Sequence, residues 1–171
     1  ADAIGLNVVT GTPRALSLDE AAQLAALARS LRGPDGRPQI VAVTADDDRD
    51  RLAEVVRVID PDVVQRSIDG GPGSPVGDVA GRRTWQVLHL PRSAGTEPEV
   101  AASAVIARAR AHLAAGAEAI LLDTAGGPHP GGTGERADEV VARLVAREVP
   151  VILAGGLRPA NVAAALRAIP A

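Results

Sequence analysis

Short runs of Val, Ile and Leu alternate along this chain with alanine-rich helical stretches, and that alternation constrains the fold more than any other feature. "AIGLNVV" at 3–9, "QIVAVT" at 39–44, "DVVQRSI" at 62–68, "TWQVLHL" at 84–90, "AEAILLD" ending at 123 and "VPVILAGG" ending at 156 read as six strands. Helices are expected at 17–31, 47–59, 97–115, 135–147 and 159–168, the first with Ser17 as N-cap and Glu20 at the capping-box position. The apolar runs are continuous rather than strictly alternating, as suits strands covered on both faces of a parallel sheet. Regular strand–helix alternation gives an α/β architecture, doubly wound or barrel. No linker splits the 171 residues, so one domain over 1–171 is expected. The stretch 69–83 has room for little more than a helical turn.

Composition narrows the chemistry. With 18 basic and 21 acidic side chains there is no basic stripe for nucleic acid and no charged tail for a membrane surface. No apolar run approaches the roughly 18 residues of a membrane span, and the N-terminal residues do not read as a signal peptide. A cytoplasmic location is therefore expected. Zero cysteines exclude disulfides, thiolate metal sites and a cysteine nucleophile within these residues. The core must be built from Val, Leu, Ile and Ala around one aromatic ring, Trp85. The sequence opens on an apolar run without an initiator methionine, and reads as the interior of something longer.

In such folds ligands sit at the C-terminal ends of the strands. "TGTPR" follows the first strand and sets Arg14 beyond its end; the third strand ends in Gln65, Arg66 and Ser67. The fifth ends in Asp123, followed by "TAGGPHPGGTGE" before the next helix. A strand-terminal Asp often caps the following helix, but here the helix starts many residues later. A long glycine-rich loop in a compact domain points instead to a closing, functional segment, which makes Asp123 a functional candidate. The sixth strand ends in Gly155 and Gly156 ahead of a helix, where exposed backbone N–H groups suit a phosphate; a tight β–α turn is the structural alternative. The three histidines are expected outside the site: His112 on a helix, His129 in the loop, and His89 in a strand.

"LLDTAGGPHPGGTGERAD" followed by "VILAGGLRPANV" resembles the phosphoribosylanthranilate isomerases of tryptophan biosynthesis. That family carries an LLD…GGTG…D segment and then an LAGGLxPxNV segment. "TPR" at 12–14 is similar to its SPR-like motif, and "DVVQ" at 62–65 to its fourth strand, so the likeness runs through nearly the whole chain. The resemblance implies a (β/α)8 TIM barrel, a small phosphorylated substrate and an Amadori rearrangement of an aminoaldose to an aminoketose. It calls for no cofactor and no metal, and leaves monomer or homodimer open. It makes Asp123 the acid that protonates the ribose ring oxygen, a role that desolvation under a closing loop would favour. It gives Arg14 the anthranilate carboxylate, which a guanidinium holds through both oxygens. Gly155 and Gly156 fall at the phosphate, and Gly132 and Thr133 at the substrate-facing loop.

The sequence also departs from the family pattern. The family's base is a cysteine in a KxCG motif on the first barrel strand. The first strand here matches the family's second, and the chain ends before an SSGVE-like eighth strand. The expectation is thus an incomplete barrel of about six parallel strands with outer helices, 3–9 and 150–154 at its edges, and inactive by itself. The fourth-strand QLHG reads "QRSI". Two rival readings are a non-catalytic remnant that binds a phosphorylated ligand and another phosphate-binding barrel enzyme, such as one like thiamine-phosphate synthase.

Overall fold

The computed structural model describes residues 2–33, 36–68, 79–90, 97–123 and 137–170, with backbone alone at 137 and 138. Six strands alternate with five helices among them: β1 (Ala3–Asn7), α1 (Leu18–Ser30), β2 (Gln39–Thr44), α2 (Arg49–Ile59), β3 (Val63–Arg66), β4 (Arg83–His89), α3 (Pro98–Ala114), β5 (Ala119–Asp123), α4 (Ala137–Glu148), β6 (Val151–Ala154) and α5 (Val162–Ala168). The strands neighbour one another in chain order, with β1 and β6 at the two ends of that order. The β1–β2, β2–β3, β3–β4 and β5–β6 ladders are parallel. The chain forms two compact units, residues 1–86 with 115–118, and residues 87–114 with 119–171. No helix among the described residues is long and apolar enough to cross a membrane.

In the first unit, successive side chains of each strand take opposite faces. Leu6, Val8, Ile40 and Ala42 point to α1 and α2 and form one core with Ala21, Ala25, Ala28, Val55 and Ile59. The three buried alanines recur at helical spacing along α1, and their small size lets the helix lie close to the strands. Ser17 starts this helix as expected. Its hydroxyl accepts the Glu20 N–H at 3.2 Å while the Glu20 carboxylate accepts the Ser17 N–H at 2.8 Å. The Ser17 hydroxyl also donates to the Glu20 carboxylate at 2.7 Å, and that bond, with the Ser17 N–H, holds the Glu20 carboxyl below its usual range.

Asp62 fixes the entry to β3. Its carboxylate accepts both Arg37 Nη1 and Nη2 at 2.7 Å, and the Ile40 N–H at 2.8 Å. The Asp62 N–H returns a bond to the Ile40 carbonyl at 2.8 Å, so side chain and backbone pin β2 to β3. The arginine, opposed in part by burial, brings the Asp62 carboxyl down to about 2.

The second unit packs Leu88 and Leu90 with Val105 and Ala109 of α3, Ile120 and Leu122 of β5, Val141 and Val145 of α4, and Val151 and Ile169. Burying each such Leu, Ile or Val contributes about 1.5–3 kcal/mol.

Several expected boundaries move. β1 stops at Asn7 because the Asn7 side chain captures the Val9 N–H at 2.9 Å and turns the chain. β3 ends at Arg66, two residues short of the expected 68. At 79–82 an antiparallel bridge between Val79 and Arg82 closes a tight turn, with Gly81 at φ +79°; residues 69–78 lie outside the described residues.

Candidate active site

Asp123 is the last residue of β5. Ile120 and Leu122 belong to the helix-facing core, so alternation turns Leu121 and Asp123 to the opposite face. The carboxylate is about two-thirds buried, with 35% of its surface exposed. Its backbone carbonyl accepts the Leu90 N–H at 3.3 Å, and its residue pairs in register with Ala154 of β6. Helix α4 begins only at Ala137, too far along the chain for Asp123 to be its cap.

His89, the last residue of β4, stands on the same face. Its Nδ1 lies 3.4 Å from Asp123 Oδ2, and its side chain is 48% exposed. Expected outside the site, it is instead the ionisable neighbour of the proposed acid. The signal was present in the sequence. Leu88 and Leu90 are core residues two apart, which turns His89 to the face that Asp123 shares.

Gly155 and Gly156 follow β6 and adopt φ +88° and +61°, a conformation that disfavours any side chain. Asn161 ties this turn together: its Nδ2 donates to the Gly156 carbonyl at 3.0 Å, and its Oδ1 accepts the Arg158 N–H at 2.6 Å. These bonds delay α5, which starts at Val162 rather than at the expected 159. A cavity of roughly 220 Å³ borders the turn, lined by Leu153, Gly155, Gly156, Asn161 and residues of α5. The register of Asp123 with Ala154 brings the carboxylate and the two glycines to one end of the same strand pair. From these groups the second unit has a carboxylate, an imidazole and a glycine turn at the C-terminal ends of its strands.

In the first unit, Arg14 lies in the turn after β1 and is exposed. That turn is well tied. Asn7 Nδ2 donates to Thr12 Oγ1 at 3.3 Å, the Thr12 hydroxyl donates to the Val9 carbonyl at 3.0 Å, and the Leu16 N–H reaches the Asn7 carbonyl at 2.8 Å. Gly11 takes φ +79° within it. Among the described residues no hydrogen bond or ion pair engages the Arg14 side chain, which leaves its guanidinium available for an anion.

Arg66 of the "QRSI" segment is 1% exposed and pairs with Asp47 at the start of the α2 region. It shares the side of β3 that carries Val64, which packs with Leu52 and Val56 of α2. The departure from QLHG at this position therefore places a buried arginine, paired with the exposed carboxylate of Asp47, on the helix-facing layer, and Gln65 takes the other face. Gly132, Thr133 and His129, with the rest of the 124–136 loop, lie outside the described residues. Among the described residues no cluster of three or more His, Asp or Glu side chains is arranged to hold a metal ion.

A family model described as N-(5'-phosphoribosyl)anthranilate (PRA) isomerase matches residues 84–170. The N-(5'-phosphoribosyl)anthranilate isomerase of Myxococcus xanthus is 38% identical over 168 residues, covering 98% of this chain and 71% of that protein. Its counterpart in Rhodopseudomonas palustris is 33% identical over 171 residues, again covering 98% of this chain and 71% of the relative. The solved phosphoribosyl anthranilate isomerase of Thermococcus kodakaraensis superposes with a TM-score of 0.77 at 26% identity, over 99% of this chain and 75% of that one. The likeness extends from the turn that carries Arg14 through the two C-terminal motif segments. On that footing the chain belongs to the N-(5'-phosphoribosyl)anthranilate isomerase family, and its six strands and their helices are part of that family's TIM-barrel fold.

Proposed function

We propose that the protein catalyses the Amadori rearrangement of N-(5'-phosphoribosyl)anthranilate to 1-(2-carboxyphenylamino)-1-deoxyribulose 5-phosphate. The observation that carries this reading is Asp123 at the end of β5, in register with Ala154 and so beside the Gly155–Gly156 turn. A phosphate held by the glycine turn sets a ribose within reach of the carboxyl. Asp123 donates a proton to the ring oxygen, the bond from C1 to that oxygen breaks, and the nitrogen lone pair forms a C1=N bond. A base then takes the C2 proton, and the released pair makes C1=C2. Loss of the enol proton and protonation of C1 give the ketone. Arg14 takes the anthranilate carboxylate, and Gly132 and Thr133 complete the substrate contacts from the loop. Backbone N–H groups at a positive-φ glycine turn suit a phosphate because they present partial positive charge without a side chain in the way.

The test is direct. The protein expressed from its complete reading frame should consume the fluorescent anthranilate substrate and restore growth to a tryptophan auxotroph that lacks the isomerase. Failure in both assays by a folded protein would reject the reading.

A further inference from the structure

The rearrangement is proton-neutral: the ring oxygen and C1 each gain a proton, while C2 and the enol hydroxyl each lose one. Asp123 is left as a carboxylate when it has protonated the ring oxygen, and needs a proton before the next turnover. Among the described residues, half-exposed His89 is the group placed to supply it. Its Nδ1 is 3.4 Å from Asp123 Oδ2, and it is more exposed than the carboxylate it faces, at 48% against 35%. Both are terminal residues of adjacent strands, on one face and in one compact unit.

We infer that His89 returns to Asp123 the proton it gives up, a role that rests on the isomerase reading above. The Nδ1–H bond of the protonated imidazole breaks, an O–H bond forms at Asp123 Oδ2, and the electron pair stays on Nδ1. The neutral ring then regains a proton from water or buffer at its exposed side. The separation is somewhat longer than a charge-assisted hydrogen bond, as catalytic contacts commonly are before substrate tightens them. His89 does not touch the reacting atoms in this scheme. It acts through Asp123, and its neighbours on β4, Leu88 and Leu90, fix its direction by being locked in the core.

A carboxylate beside a histidine also fits a purely structural pair, and the two roles separate experimentally. In the protein expressed from its complete reading frame, His89→Ala should lower kcat by about tenfold or more while KM changes little. Added imidazole should restore much of that loss, because a small base in solution can carry the proton to the vacated space. His89→Gln keeps a hydrogen-bonding group beside Asp123 but cannot carry a proton, so its kcat should fall as far as that of the alanine variant. Full activity in either variant, or no recovery with imidazole, would overturn the inference. If the unsubstituted protein itself fails to turn over the substrate, the isomerase reading falls and this one falls with it. A loss confined to the variants bears on His89 alone.

Discussion

Asp123 and Ala154 are register partners at the ends of β5 and β6, so the carboxylate stands one residue from the Gly155–Gly156 turn. The proposed reaction uses that position for an acid that serves a ribose whose phosphate the turn would hold. Asp123→Asn keeps the shape and removes the transferable proton. In the complete protein, kcat should fall by at least about 10²-fold with a smaller change in KM. Steady-state fluorescence kinetics decide it. Unchanged kcat would make the strand-terminal carboxylate structural.

Arg14 predicts the opposite division. Its exposed guanidinium extends from a turn that Asn7 and Thr12 hold in shape. Arg14→Ala removes a charged contact to the substrate carboxylate, worth about 1.5–3 kcal/mol. KM should rise by roughly 10- to 100-fold with kcat less affected. A fall in kcat at constant KM would deny Arg14 its binding role.

How far the sequence led follows from which signals were local. Strand and helix existence came from continuous Val/Ile/Leu runs and from the Ser17–Glu20 box, both of which the backbone obeys. Boundaries shifted where a side chain competes with backbone for hydrogen bonds: Asn7 ends β1 early, and Asn161 delays α5. The position of Asp123 at the end of β5 was readable from the apolar run before it, and its candidacy from the glycine loop that follows in the sequence. For His89 the spacing of Leu88 and Leu90 gave the facing, but not its neighbour Asp123, which lies across the sheet and 34 residues further along the chain. Arg66 was noticed as a departure from a motif, but its ion pair with Asp47 joins two different strand ends and needed coordinates.

The Arg37–Asp62 pair gives the protein an acid-sensitive clasp on β3. Asp62 titrates at about 2, below its ordinary value. A depressed carboxyl contributes stability that is present above the ordinary value near pH 4 and is lost as pH falls through the folded one. Asp62→Asn should cost about 1–2 kcal/mol near neutral pH, allowing for partial solvent screening. The gap between the two proteins should shrink between pH 4 and about 2. Urea unfolding midpoints along that range test it, and a gap that stays constant would break the link to ionisation.

Exposed leucines point to self-association of a polypeptide limited to these 171 residues. On α1, Leu24 and Leu27 are 42% and 63% exposed, and Leu31 just beyond the helix is 48% exposed, together forming one helical stripe. Around β6 and α5, Ile152, Leu157 and Leu166 are exposed as well. β1 and β6 stand at the two ends of the strand order, where strand edges favour pairing with another chain. Light scattering should show concentration-dependent assembly, which Leu27→Glu combined with Leu166→Glu reduces. A monodisperse monomer at high concentration would show that these surfaces do not drive association.

The same polypeptide should not isomerise the substrate. The resemblance assigns the C2 proton to a cysteine, and there is no cysteine among the 171 residues. In the proposed scheme Asp123 serves ring opening, and no second group among the described residues is assigned to C2. His89 lies beside Asp123, whose proton supply we assign to it. Absence of one positioned base typically forfeits about 10²–10⁴-fold, which puts turnover near the background of the assay. Substrate-analogue binding is the control: calorimetry with a reduced, unreactive product analogue reports whether Arg14 and the glycine turn still bind when turnover is absent. Measurable binding without turnover is the expected pair of results. Turnover at a rate matching the protein from the complete reading frame would show that the base lies among these residues, and would move the search to His89 and the carboxylates.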